Sequence, residues 1–174
     1  MDSDRLTAIK EALSLAPGFF TNWNWILWIV SLFTQVPLTV QIAIESSLLT
    51  CAILGCYFIN HNIENWVSKY ATLTKRIMGF PMTKSMLRLM DFLAHVVPFV
   101  CILAHKFIRG AQFITRPERA FVEANTFNTL FGMCYLLFQD PSEVYSPTNL
   151  SIKSFVVLST VSVLTLNFLF TYVF

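Results

Sequence analysis

Long runs of apolar residues constrain this chain more than any other feature. The last run, from about residue 152 to residue 174, contains a single charged residue, Lys153. A helix of about 20 such residues can cross roughly 30 Å of hydrocarbon. Charged residues make up only 13% of the 174 residues, about half of the share typical of soluble domains. The sequence therefore predicts an all-α membrane protein rather than a soluble helical domain.

The apolar runs predict a polytopic helix bundle of about five transmembrane helices. Residues 1–18 form a predicted N-terminal interfacial amphipathic segment, and residues 19–174 form a single transmembrane helical domain. Residues 19–59 could be one very long helix, but Pro37 favours two, because the residue before a proline disfavours helix. A polar loop is expected over residues 60–85. The expected spans cover about residues 19–35, 37–59, 86–107, 120–138 and 152–174.

Basic residues set the expected orientation, because Lys and Arg are enriched on the cytoplasmic side of membrane proteins. With five spans, eight of the twelve Lys and Arg residues lie on the side of the N-terminus and four on the other side. We therefore expect a multi-pass protein of an endomembrane or organellar membrane with a cytosolic N-terminus. The net charge of +2, without a basic tract interleaved with aromatic residues, argues against nucleic acid as a partner.

Polar residues inside the predicted spans are candidates for function, because an unsatisfied polar group in hydrocarbon is costly. Asp91 and His95 are four residues apart and share one face of the third span. The carboxylate can fix the imidazole tautomer and leave the second ring nitrogen free as a base. The alternative is a structural polar pair that holds two helices together.

Two other polar positions have a local and a functional interpretation. Thr21 opens the first span and would be a nucleophile if His95 reaches its hydroxyl. Otherwise it caps the helix or bonds a backbone carbonyl. Glu45 and Gln41 share a face of the second span, and they either line the same cavity or pair with Arg88 or another helix.

The cysteines indicate neither a disulfide framework nor a metal site. They lie inside apolar runs and form no C-x-x-C pair, so we interpret them as reduced packing residues. No metal and no organic cofactor is expected. The four are Cys51, Cys56, Cys101 and Cys134.

Four short elements follow one another along the chain in a recognisable order. They are Phe20-Thr21-Asn22-Trp23-Asn24, Asp91 to His95 with Pro98-Phe99, Val144-Tyr145 with Pro147, and Asn167-Phe168-Leu169-Phe170. Taken together, they resemble the androgen-induced-gene family of integral membrane proteins. That resemblance implies a multi-span hydrolase with an intramembrane threonine and histidine, which cleaves fatty acid esters of hydroxy fatty acids. The Thr-Asn-Trp element is also similar to the rolling-stone-like membrane proteins, for which it implies no hydrolysis.

The leading hypothesis is therefore an intramembrane lipid ester hydrolase that acts on fatty-acyl esters. Thr21 is the predicted nucleophile, His95 the base and Asp91 the residue that orients the base. Membrane lipids and a lipid substrate are its expected partners. Candidates for an oxyanion site or pocket are Asn24, Glu45 and Tyr145.

The alternative is a non-catalytic accessory or structural subunit of a larger membrane complex, with other membrane subunits as partners. The two hypotheses differ in one structural feature. A hydrolase needs Thr21, Asp91 and His95 in one closed polar pocket, whereas a subunit needs them only as packing or contact residues.

Overall fold

The computed structural model describes residues 3–109, 114–140, 142, 145–148 and 151–173, and no strand occurs among them. The predicted all-α class is confirmed. A single π turn, Phe92–Val96, joins α5 and α6 into one continuous helix. The helices are α1 Ser3–Leu15, α2 Phe20–Phe33, α3 Leu38–His61, α4 Ile63–Met78, α5 Lys84–Asp91, α6 Val97–Arg109, α7 Pro117–Phe138 and α8 Ile152–Tyr172.

Helix α3 is the centre of the bundle. Every residue from Gln41 to Ala52 is buried, and α3 contacts α2, α5, α6, α7 and α8. Other helices therefore enclose the first half of α3, whereas its second half is partly exposed, for example at Ile53 and Tyr57. The main core packs around it and includes Trp28, Ile42, Leu48, Ile102, Ala124 and Phe170.

Three helical segments in the described part of the chain are long and apolar enough to cross a membrane. They are Leu38–His61, Lys84–His105 and Lys153–Tyr172. The expected number of about five is not confirmed. Helix α2 has 14 residues, which span about 21 Å and fall short of the hydrocarbon thickness. Helix α7 has 22 residues, but its first turns are charged, with Glu118 and Arg119.

Residues 60–85, predicted to be a polar loop, instead contain the end of α3, all of α4 and the first residues of α5. Trp66, Leu73 and Ile77 of α4 line one face, so α4 is an amphipathic helix. The prediction was wrong because polar residues on the opposite face lower the mean hydropathy of the segment. Helix α4 ends before Gly79, which has a φ of +87° in the left-handed conformation that glycine adopts without strain.

Helix α1 packs against α4. The guanidinium group of Arg76 in α4 lies 3.1 Å from a carboxylate oxygen of Asp4 and 2.8 Å from one of Glu11, both in α1. Leu15 of α1 lines a cavity under α4, while Leu13 points outward and is 66% exposed. Helices α1 and α4 thus pack together and both contribute to the wall of the cavity.

The continuous helix α5–α6 passes through Pro98 without breaking. Proline has no N–H to donate to the carbonyl four residues earlier, which is that of Ala94. The indole N–H of Trp25 in α2 donates to this carbonyl oxygen at 3.0 Å. The freed backbone group is therefore satisfied, and α2 is fixed against the π turn that carries His95.

Candidate functional site

The structure brings together the three polar residues that the sequence places on two separate helices. The hydroxyl oxygen of Thr21 lies 3.3 Å from Nε2 of His95, and Nδ1 of His95 lies 2.8 Å from Oδ1 of Asp91. All three side chains are buried. When Nδ1–H donates to the carboxylate, the lone pair on Nε2 faces the hydroxyl. Thr21, His95 and Asp91 are thus arranged in the order of a nucleophile, a base and a residue that orients the base.

The local fold explains how each group reaches its place. Thr21 lies in the first turn of α2, after Phe19 in extended conformation, and Asp91 is the last residue of α5. His95 lies in the π turn, a feature that changes the register of side chains and is frequent at functional sites. Asn60 of α3 donates from Nδ2 to Oδ2 of Asp91 at 3.2 Å, so both carboxylate oxygens have a partner.

Gly55 of α3 lies directly behind the imidazole. A Cβ atom at this position would overlap the ring of His95, with Nε2 as the nearest atom. Only glycine therefore lets the ring lie this close to α3. The sequence analysis missed Gly55, although a glycine inside an apolar helix is itself a signal of close approach.

Tyr145 also lies close to Thr21, in the segment between α7 and α8. Its hydroxyl oxygen accepts a hydrogen bond from the backbone N–H of Phe20 at 3.2 Å, and Thr21 is the next residue of α2. Burial raises the pKa of Tyr145 well above its ordinary value. The phenol therefore stays neutral and keeps a proton that it can donate. A second tyrosine, Tyr135, donates to the backbone carbonyl of Gly18 and fixes the same entry to α2.

A cavity of about 400 Å³ borders these groups. Its wall is mostly apolar and is built from α1, α2, α3, α4, α5 and α8. Four methionines contribute to it, and methionine side chains adapt readily to irregular apolar ligands. The volume and the few polar wall groups fit a site for an apolar molecule. The methionines are Met78, Met82, Met86 and Met90; Thr21, Asp91, His95 and Tyr145 are among the polar wall residues.

No protein-family model, no curated protein and no solved structure matches the chain. Its function has to be inferred from the site.

Two predicted residues lie elsewhere, since neither Asn24 nor Glu45 is among the described residues that line the cavity. The amide N–H of Asn24 donates to the carbonyl of Phe20 at 2.9 Å. Glu45 accepts from Gln41 at 2.7 Å and lies 3.4 Å from Nδ1 of His105 in α6. This corrects the predicted oxyanion or pocket role of both. Among the alternatives for Glu45, the structure shows the pairing with another helix, α6.

One cysteine lies beside the catalytic candidates instead of packing in an apolar core. Cys56 of α3, Asp91 and His95 each place a possible metal-ligand atom within 4.8 Å of the other two. Asn60, one helical turn after Cys56 in α3, bonds the same carboxylate. The sequence analysis missed this group because Cys56 lies on α3, a different helix from Asp91 and His95, and no characteristic spacing links it to them.

Proposed function

We propose that this chain is a multi-pass membrane hydrolase that cleaves fatty-acyl esters of lipids. One observation carries the proposal: Thr21, His95 and Asp91 are bonded in series in the wall of an apolar cavity. A polar pair that only joins helices requires neither a hydroxyl on the second ring nitrogen nor a cavity beside it. The proposed partners are membrane lipids and a lipid substrate.

In the proposed first step, the hydroxyl oxygen of Thr21 bonds the ester carbonyl carbon while Nε2 of His95 takes the hydroxyl proton. Asp91 stabilises the imidazolium that forms. The ester C–O bond then breaks, and the departing alcohol takes the proton from His95. The acyl group remains as an ester on Thr21.

In the second step, His95 takes a proton from water as the water oxygen bonds the acyl carbon. Collapse of the tetrahedral intermediate releases the fatty acid and returns the proton to Thr21. Tyr145 is the proposed donor to the negatively charged oxygen, in place of Asn24, because its neutral hydroxyl bonds the backbone N–H next to Thr21 and the residue lines the cavity. The apolar wall receives the acyl chain.

The position of the site along the bundle suits a lipid ester. Asn60, which bonds Asp91, lies next to the last residue of α3 and is exposed. The amphipathic helices α1 and α4 lie at this same end of the bundle. These features support a site at the level of the membrane surface, where water and the ester groups of lipids meet.

The packing of α1 on α4 also supports a topology with five spans. Helix α1 precedes α2 and α4 follows α3, so their contact requires the α2–α3 pair to leave one side of the membrane and return to it. Helix α7 packs against α3 and α8, both apolar enough to span, and this packing supports α7 as a further span. The distribution of basic residues favours a cytosolic N-terminus, which puts the site on the cytosolic side.

A fluorophosphonate probe tests the proposal, since it reacts covalently with an activated hydroxyl nucleophile. Purified wild-type protein in detergent should be labelled, and both Thr21→Ala and His95→Ala should reduce labelling by about a hundredfold or more. Ser159→Ala is the matched control, because Ser159 is another hydroxyl in the cavity wall. This variant should be labelled like wild type and should hydrolyse the same fatty-acyl ester.

Two results would contradict the proposal. Labelling that persists in Thr21→Ala would mean that another residue reacts with the probe. If folded wild-type protein is not labelled and does not hydrolyse fatty-acyl esters, the chain is better described as a non-catalytic subunit. Asp91 and His95 would then only hold the continuous helix α5–α6 against α2 and α3 by polar contacts.

A further inference from the structure

Cys56, Asp91 and His95 form a group with the composition of a transition-metal site. Each offers one ligand atom, and these atoms lie within 4.8 Å of one another. Zn²⁺ binds thiolate, imidazole and carboxylate ligands, while Mg²⁺ and Ca²⁺ prefer oxygen alone. We propose that this group binds Zn²⁺ and that the bound ion switches off the hydrolase. The inhibition rests on the proposed function, but the metal binding does not.

The distances require only small movements on metal binding. Two nitrogen or oxygen ligands of a tetrahedral Zn²⁺ ion lie about 3.3 Å apart, at bond lengths of about 2.0 Å. Nδ1 of His95 and Oδ1 of Asp91 are already 2.8 Å apart, and the ligand atom of Cys56 lies within 4.8 Å of those of both residues. Asn60 holds the other carboxylate oxygen, as residues around metal ligands commonly do. Three protein ligands leave a fourth position for water.

One ligand of this group, Cys56, lies outside the described wall of the substrate cavity, whereas Asp91 and His95 line it. Asn60 is exposed and Cys56 is only half-buried, both on α3 near its end. Cys56 is not among the described residues of the cavity wall, whereas Thr21 is. Thr21 contacts Nε2 of His95 and Asp91 contacts Nδ1, so a metal ion on Nδ1 and the nucleophile lie on different sides of the imidazole.

Zn²⁺ would inhibit the hydrolase because the two nitrogens of the His95 ring share one proton. Without metal, Nδ1 carries the proton and Nε2 is the base for Thr21. When Zn²⁺ bonds Nδ1, the ring stays neutral only if its proton moves to Nε2. An Nε2–H group donates a hydrogen bond and cannot accept the proton of Thr21. Cys56 loses its thiol proton to solvent, so we expect the affinity for Zn²⁺ to rise with pH.

Co²⁺ provides a test of the metal site that does not depend on hydrolysis. Bound to a thiolate, Co²⁺ has a charge-transfer absorption band in the near ultraviolet. The full chain in detergent micelles should develop this band, and Cys56→Ser should lack it. Cys101→Ser is the matched control, since Cys101 is an exposed cysteine of α6 outside the group, and it should keep the band. A wild-type protein without the band, or a band unchanged in Cys56→Ser, would refute the site.

Labelling with the fluorophosphonate probe then tests inhibition, with each variant compared with its own labelling in a metal chelator. Saturating Zn²⁺ should reduce wild-type labelling by about tenfold or more, and Cys56→Ser should need at least about tenfold more Zn²⁺ for the same effect. If the cobalt band forms but Zn²⁺ leaves labelling unchanged, the inhibitory role is wrong. If no labelling occurs in any sample, the hydrolase proposal fails, and the cobalt band still decides the metal site.

Discussion

Two carboxylate–histidine pairs lie towards opposite ends of α3, and they differ in what surrounds them. Asp91 and His95 lie 2.8 Å apart beside Gly55, whereas Glu45 and His105 lie 3.4 Å apart near the start of α3. The first pair borders the cavity, and the second is absent from its described wall. Both satisfy polar groups inside an apolar bundle, as buried ionisable groups require.

Only one of the two pairs has a nucleophile beside its histidine. Nε2 of His95 faces the hydroxyl of Thr21, and Thr21 faces the cavity. Glu45 is instead held by Gln41 of its own helix and by His105 of α6. A carboxylate–histidine pair thus becomes a candidate for catalysis only when its second ring nitrogen meets a nucleophile beside a space for substrate.

Replacing the carboxylates tests this distinction with the largest expected effect. In Asp91→Asn, the amide N–H would donate to Nδ1, which moves the ring proton to Nε2 and abolishes the base. We expect fluorophosphonate labelling to fall by about 10²- to 10⁴-fold. Glu45→Gln should leave labelling close to wild type. Equal losses in both variants would remove the difference between the two pairs.

Tyr145→Phe tests the contribution of the tyrosine hydroxyl beside the Asp91–His95 pair. Loss of the proposed donor should reduce the rate of labelling by about a hundredfold, the usual cost of one oxyanion donor. Tyr135→Phe is the control, because Tyr135 also fixes the entry to α2 but bonds the carbonyl of Gly18. Its labelling rate should stay near that of wild type. A similar loss in both would show that the tyrosines act only by holding α2 in place.

Gly55→Ala tests whether the position of the His95 ring against α3 matters for labelling, and its expected effect is smaller. The added methyl group must displace the His95 ring, and a misplacement of about 1 Å should lower labelling by about tenfold or more. Gly132→Ala is the control, because nothing lies within 4 Å of the Cβ that it adds to α7. It should keep wild-type labelling and unfold at the same or a higher temperature, since alanine favours helix. Unchanged labelling in Gly55→Ala would contradict the assigned position of the base.

Local sequence patterns predicted those parts of the protein that depend on single segments. Apolar runs predicted the all-α class and the segments around α3, α5–α6 and α8, because helix burial in hydrocarbon depends on the composition of one segment. The spacing of Asp91 and His95 predicted their contact, because residues four apart meet on one helix. Helix α4 was missed because mean hydropathy averages over its two faces.

The assembly of the site depended on the tertiary structure. The sequence placed Thr21, Glu45 and Cys56 on helices, but helical spacing does not say which helix a face will meet. Packing around α3 brought Thr21 to His95 and Cys56 to Asp91, and it directed Glu45 to His105. Periodicity is a property of one helix, whereas these contacts depend on how helices distant in the chain pack together.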